Sequence, residues 1–171
     1  MGNWEWKGMM EKKEEQVMID LILYLFEGFK KYGDDKYADH IIYIAVRDVT
    51  RIIGERKNLY ISEKAEGILG DCIDIFTVEA AQKAHPYKTV KEHKIPAKTF
   101  WEEFKTKRTK GQDFTRADAE RWLRDATIAI ITKEEDDELT HKKWGKVRPP
   151  NAYEELGIML KKIIYPEKPN V

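Results

Sequence analysis

Thirteen residues set the terms for this chain. From Val17 to Phe29 only Asp20, Glu27 and Gly28 interrupt an apolar run. Val17, Leu21, Tyr24, Leu25 and Phe29 recur at the spacing of one helix face. Ile19, Ile22, Leu23 and Phe26 widen that face, so the helix must be covered on more than one side. The spacing predicts it over about residues 9–32, led in by the charged stretch Glu11-Lys-Lys-Glu-Glu15. The segment Ile19–Phe26 is the longest apolar run, and it falls far short of the ~20 residues of a membrane span. The start, Met1-Gly-Asn-Trp-Glu-Trp-Lys7, lacks the apolar stretch of a signal peptide. Gly2 fits a myristoylation signal, but Lys7 stands where that signal requires Ser or Thr. The expectation is a soluble, cytoplasmic protein without a membrane partner.

At 171 residues the chain is long enough for one domain or two small ones. Its 42% apolar content excludes a low-complexity disordered chain. The single cysteine, Cys72, excludes an internal disulfide framework and a four-cysteine zinc site. Net charge is zero, yet the two halves differ. Residues 1–84 carry 12 basic and 16 acidic side chains, and residues 85–171 carry 19 basic and 15 acidic. Such a change of sign suggests two parts with different roles. His85-Pro86-Tyr87 marks the boundary, because Pro ends a helical pattern.

Residues 1–84 read as a three-helix bundle. After Gly33-Asp-Asp35, a second helix over about 36–53 places Tyr37, Ile41, Ile44, Ala45, Val49, Ile52 and Ile53 on one face, and Gly54 closes it. Ser62 caps a third, expected to run to about Ala84 with Ile68, Leu69, Cys72, Ile73, Phe76 and Ala80 inward. In residues 85–171, positions 87–95 lean towards strand or loop. Pro96 opens a fourth helix with Phe100, Trp101 and Phe104 as its apolar stripe. A basic connection, Lys105-Thr-Lys-Arg-Thr-Lys-Gly111, leads to a fifth helix. Thr115 and Asp118 form its capping box, Phe114 supplies a staple contact, and Ala119, Trp122, Leu123 and Ala126 form its core side. Residues 127–144 read as strand, acidic turn and strand. Pro149-Pro-Asn151 begins a last helix over about 152–164 carrying Tyr153, Leu156, Met159, Leu160 and Ile163.

Helix, basic turn, helix and hairpin is the order of a winged helix. The spans Ile95-Pro-Ala-Lys-Thr-Phe-Trp-Glu-Glu-Phe104 and Gly111-Gln-Asp-Phe-Thr-Arg-Ala-Asp-Ala-Glu-Arg-Trp-Leu123 resemble the winged-helix domain at the C-terminal end of viral and plasmid replicative helicase–primases. The resemblance covers about 30 residues plus a wing to Trp144, mostly core positions. It implies a DNA-binding helix-turn-helix, though the acidic turn Glu134-Glu-Asp-Asp137 departs from a DNA-touching wing. No phosphate-binding Gly-Lys-Ser/Thr loop is present, so no helicase chemistry carries over.

The basic residues support the same reading independently. Residues 88–110 hold eight basic against three acidic side chains. Lys105, Lys107, Arg108 and Lys110 crowd the turn. On the fifth helix Arg116, Glu120 and Arg124 share a face, with Arg121 nearby; Lys142, Lys143, Lys146 and Arg148 follow the expected hairpin. Convergence of these groups around a helix entering a major groove would make a nucleic-acid surface, with Arg116 and Arg121 at base edges. The plain alternative is a set of solvated faces on a chain that is 36% charged. That load also suits a heat-adapted protein with surface ion-pair networks.

Other chemistry is thinner. His40, His85, His93 and His141 show no i, i+3 or i+4 pairing, so a zinc site is not expected, and His93 beside Glu92 reads as a polar loop position. Glu63, Glu66, Asp71 and Asp74, with Gly67 and Gly70, resemble the Mg²⁺-holding carboxylates of all-α nucleoside-triphosphate pyrophosphohydrolases. Both pairs fall on one predicted helix, whereas that family uses two. Glu92-His-Lys94 with Asp74 imitates a nuclease core but lacks adjacent strands. An EF-hand centred on Gly111 fails because Thr106, Arg108 and Lys110 would stand at ligand positions. Trp101, Trp122 and Trp144 are candidates to stack on bases; spacing assigns Trp101 and Trp122 to the core, and leaves Trp144, at a hairpin end, open between the two. Trp4, Trp6, Met9 and Met10 before the first helix suggest a dimer or partner surface.

The expected architecture is therefore mainly α, an N-terminal helical bundle plus a winged-helix-like part with a small β-hairpin. The expected role is non-catalytic nucleic-acid binding, as a replication accessory or a regulator of a mobile element, with no catalytic residue, metal or cofactor. A helical scaffold subunit and a Mg²⁺-dependent pyrophosphohydrolase are the alternatives.

Overall fold

A computed structural model describes residues 10–70, 82–83, 88–144 and 147–164. The described chain is mainly helical with a small sheet of four strands. Helix α1 (Lys12–Tyr32) and helix α2 (Lys36–Lys57) form an antiparallel hairpin. The turn is short because Gly33 N–H closes α1 on Phe29 O at 2.9 Å, while Asp35 accepts from Tyr37 and Ala38 N–H to open α2. Ion pairs Arg56–Glu14 and Lys57–Glu15 tie the far end.

Strand β1 (Leu59–Ser62) follows, then α3 (Glu63–Leu69), capped by the Ser62 hydroxyl. The third helix expected to run to Ala84 instead ends at Leu69, where Gly70 leaves the helical conformation at φ +84°; residues 71–81 and 84–87, with Asp71, Cys72 and Asp74, lie outside the described residues. Strand β2 (Thr89–His93) leads to α4 (Ala97–Thr109) and α5 (Arg116–Asp125). Between these helices Gly111 adopts φ +63°, and Gln112 N–H reaches Lys107 O at 2.9 Å. The Thr115–Asp118 capping box forms as expected.

The apolar faces of α1, α2, α4 and α5 share one core, so helices from both sides of residue 85 pack together. Phe104 is fully buried at its centre, 4.7 Å from the Trp122 ring, 4.8 Å from Phe114 and 5.0 Å from Phe26.

Strand β3 (Ile128–Thr132) starts three residues after α5. The sheet order is β2-β3-β1-β4, where β4 is Leu160–Lys162, with β3 antiparallel to β2 and parallel to β1. Every residue of β3 is buried, which explains its unbroken apolar sequence. Leu59, Ile61, Ile128 and Ile130 face Ala65, Leu69 and Ile163; Ala129 and Ile131 face Leu139, Tyr153 and Ile158.

Two further expectations are corrected. Residues 127–144 do not form a hairpin, because β3 runs straight into helix α6 (Lys133–His141). The Thr132 hydroxyl accepts from Glu135 N–H at 3.2 Å, and Glu135 Oε2 accepts from Thr132 N–H at 2.8 Å. Glu134, Glu135 and Asp136, read as an acidic turn, sit in the first turn of α6, where the helix dipole favours them. The helix expected over 152–164 is the single turn α7 (Ala152–Glu155), followed by strand β4 (Leu160–Lys162) beside β1. Gly157, at φ +66°, turns the chain between them.

Candidate functional site

Thr115 starts α5 so that Ala119, Trp122 and Leu123 face the core, which turns Arg116, Glu120 and Arg124 outwards along α1. These residues and Lys12, Glu15, Gln16 and Lys57 line an open groove of about 290 Å³. Arg116 donates to Glu120 at 2.9 Å and to Gln16 at 2.5 Å, and Lys57 pairs with Glu15. Four cations therefore share a groove with two carboxylates. Lys12 and Lys57 were not among the expected residues, because Lys12 was read as part of the charged lead-in to α1 and Lys57 lies beyond the expected end of the second helix at Gly54, through which α2 continues.

The remaining expected residues do not join them. Lys105 lies over Trp101 and pairs with Glu102. Lys107 bonds Asp118 at 2.7 Å, and Arg108 bonds Asp34 at 2.7 Å while lying over Phe29. Burial works against the charge of Asp118, but Lys107 and the Thr115 N–H and hydroxyl hold its carboxyl well below the usual range. Arg121, expected at a base edge, is held by Glu103 and Asp118. Glu103 also accepts from the Trp122 indole at 2.9 Å. Lys110 is exposed at the end of α4. Lys142 and Lys143 are exposed after α6, which packs on β2 and β3 rather than on α5. Lys146 lies outside the described residues.

Arg148 is the clearest correction. Its side chain is only 2% exposed. It donates to Glu92 Oε1 at 2.9 Å, His93 O at 2.8 Å, the Tyr153 hydroxyl at 2.7 Å and Trp144 O at 3.3 Å. All of these are internal partners, so Arg148 does not belong to a nucleic-acid surface. Trp144, which the sequence leaves open between core and stacking, is half-buried against the sheet.

This cluster also corrects the reading of Glu92 and His93 as loop positions, since both lie on β2. Burial raises the Glu92 carboxyl above its ordinary range, against the pull of Arg148. Burial likewise pushes the Tyr153 phenol up, again opposed by Arg148. His93 is pushed down by burial, with the Arg47 carbonyl opposing and the Arg51 and Arg47 charges adding to the shift. Its Nε2 is buried without a hydrogen-bond partner. Pro96, three residues after the strand, starts α4, and this junction and α2 line a second, open pocket of about 240 Å³.

Among the described residues no three His, Cys, Asp or Glu side chains gather to hold a metal ion, and no helix is long and apolar enough to cross a membrane. Glu63 and Glu66 stand in the first turn of α3, and Glu66 pairs with Lys161 at 2.6 Å. No family model, curated protein or solved structure matches the chain.

Proposed function

We propose that this chain is a non-catalytic nucleic-acid-binding protein of the cytoplasm, a replication accessory or mobile-element regulator, that holds backbone phosphates in the α1–α5 groove. One observation carries the reading: Lys12, Lys57, Arg116 and Arg124 line the same groove. Cations that replace condensed counterions supply sequence-independent affinity, and that affinity falls as salt rises. The order α4, basic turn, α5 keeps the helix-turn-helix part of the winged-helix resemblance, although the wing hairpin expected from residues 127–144 is absent.

The test is a salt titration of binding to random single-stranded and duplex DNA. Replacing Arg116 and Arg124 together by Ala should reduce the slope of log affinity against log salt by about two. No binding at low salt, or an unchanged slope, refutes the reading.

The scaffold alternative has its own support. Val17, Leu21 and Tyr24 form an exposed apolar stripe on α1, and Tyr37 and Ile41 are exposed on α2. Tyr24→Lys should abolish self-association, read by sedimentation, if that stripe joins two copies.

A further inference from the structure

We infer that the pocket between α2 and the β2–α4 junction binds a phosphate monoester carrying a small ring, in the class of nucleoside monophosphates. The inference stands apart from the groove reading, because the two sites share no lining residue. The pocket measures about 240 Å³, more than a lone phosphate fills. Its lining falls into two chemical sets. Arg47 and Lys98 are cations, while Tyr43, Pro96 and Ala97 supply the less polar part of the lining, where a ring would lie.

The carboxylate in the lining, Glu92, is answered by Arg148 from behind at 2.9 Å, so it does not cancel Arg47 and Lys98. Arg47 does meet its neighbour Asp48 at 2.9 Å. Both side chains of that pair are about half exposed, so it is a weak surface pair and a dianion can compete for the guanidinium. Arginine suits such a ligand because its planar fork can hold two phosphate oxygens at once. His93 also lines the pocket, and its buried Nε2 has no hydrogen-bond partner, a place for an N–H or hydroxyl donor on the ligand's ring part. No side chain caps the first N–H groups of α4, since its cap residue is Pro96, and these add to the positive potential around Lys98.

Titration of the full chain with adenosine monophosphate, adenosine and inorganic phosphate, followed by amide NMR shifts, tests the inference. The monophosphate should shift the amides of His93, Ala97 and Lys98 and bind at least about tenfold more tightly than either fragment. Arg47→Gln and Lys98→Gln, both in accessible positions, should each weaken it by about tenfold. Arg116→Ala/Arg124→Ala should leave it unchanged. The inference is overturned if these amides do not move at millimolar monophosphate. It is equally overturned if either fragment binds as well, or if neither pocket substitution weakens binding.

Discussion

The helical layer and the sheet are stabilised in different ways. In the helical layer seven aromatic rings from α1, α4, α5 and their connection interlock, and ion pairs such as Arg121–Glu103 and Arg56–Glu14 ring the outside. In the sheet, charged and hydroxyl groups lie inside. Arg148 bridges Glu92 and Tyr153, and Glu135, 1% exposed, accepts from the Ser62 hydroxyl at 2.6 Å. The first region depends on shape and apolar area, the second on buried polar groups such as Arg148, Glu92 and Glu135 keeping their partners. Substitutions should therefore act by volume in one region and by pairing, with a pH signature, in the other.

The largest effect should come from Phe104→Ala. It leaves a hole among Phe26, Phe114 and Trp122 and should cost about 3–5 kcal/mol in chemical denaturation, with little dependence on pH. A loss below about 1 kcal/mol would show that the ring cluster is loosely packed.

Arg148→Met should cost about 3 kcal/mol at neutral pH, because it strands Glu92 in a buried place. The pH dependence has a definite sign. Burial already raises the Glu92 carboxyl, so the folded state holds its proton more tightly than the unfolded chain. Part of the loss in the variant should return as pH falls from that raised value through the ordinary carboxylate range. His93 works in the opposite sense. Its folded value is depressed, so its contribution is present above about 6.5 and is lost as pH falls below it. His93→Gln should flatten stability across that window, and an unchanged profile would show that the ring is not desolvated.

Asp118→Ala removes a cap acceptor and the partner of Lys107, and should cost about 1–2 kcal/mol. Because the carboxyl is depressed, this difference should hold above the ordinary carboxylate range and fade as pH drops through it. The smallest effect belongs to Arg116→Ala, under about 0.5 kcal/mol, since its pair with Glu120 is exposed. Its consequence should appear in DNA binding instead.

The same contrast explains what the sequence revealed. The helical layer was legible because local signals agreed with tertiary packing: the apolar spacing of α1, the Gly33-Asp-Asp35 break and the Thr115–Asp118 box all recur in the fold. Helix α6 carried its own signal, Thr132 three residues before Glu135, but the acids around it imitated a turn. The last helix failed at Gly157, whose positive φ interrupts a helical spacing that otherwise looked sound. The Glu92–Arg148 pair joins residues 56 apart. Nothing local distinguishes a buried arginine from a solvated one, so Arg148 was assigned to the surface. The groove was half visible, since α5 showed its outward face but not that Lys12 and Lys57 would lie beside it.

One small side chain connects the two regions. The amide of Asn58, at the end of α2, donates to the carbonyls of Leu123, Arg124 and Ala126 at 3.1–3.2 Å. Ile128 N–H returns to Asn58 O at 3.1 Å, just where β1 and β3 begin to run side by side. Asn58 thus acts as a surveyor's peg from which both central strands are measured. A slip of one residue there would turn Ile128 and Ile130 to the opposite side of the sheet, so the residue that anchors the end of α5 also stands at the start of the central pairing.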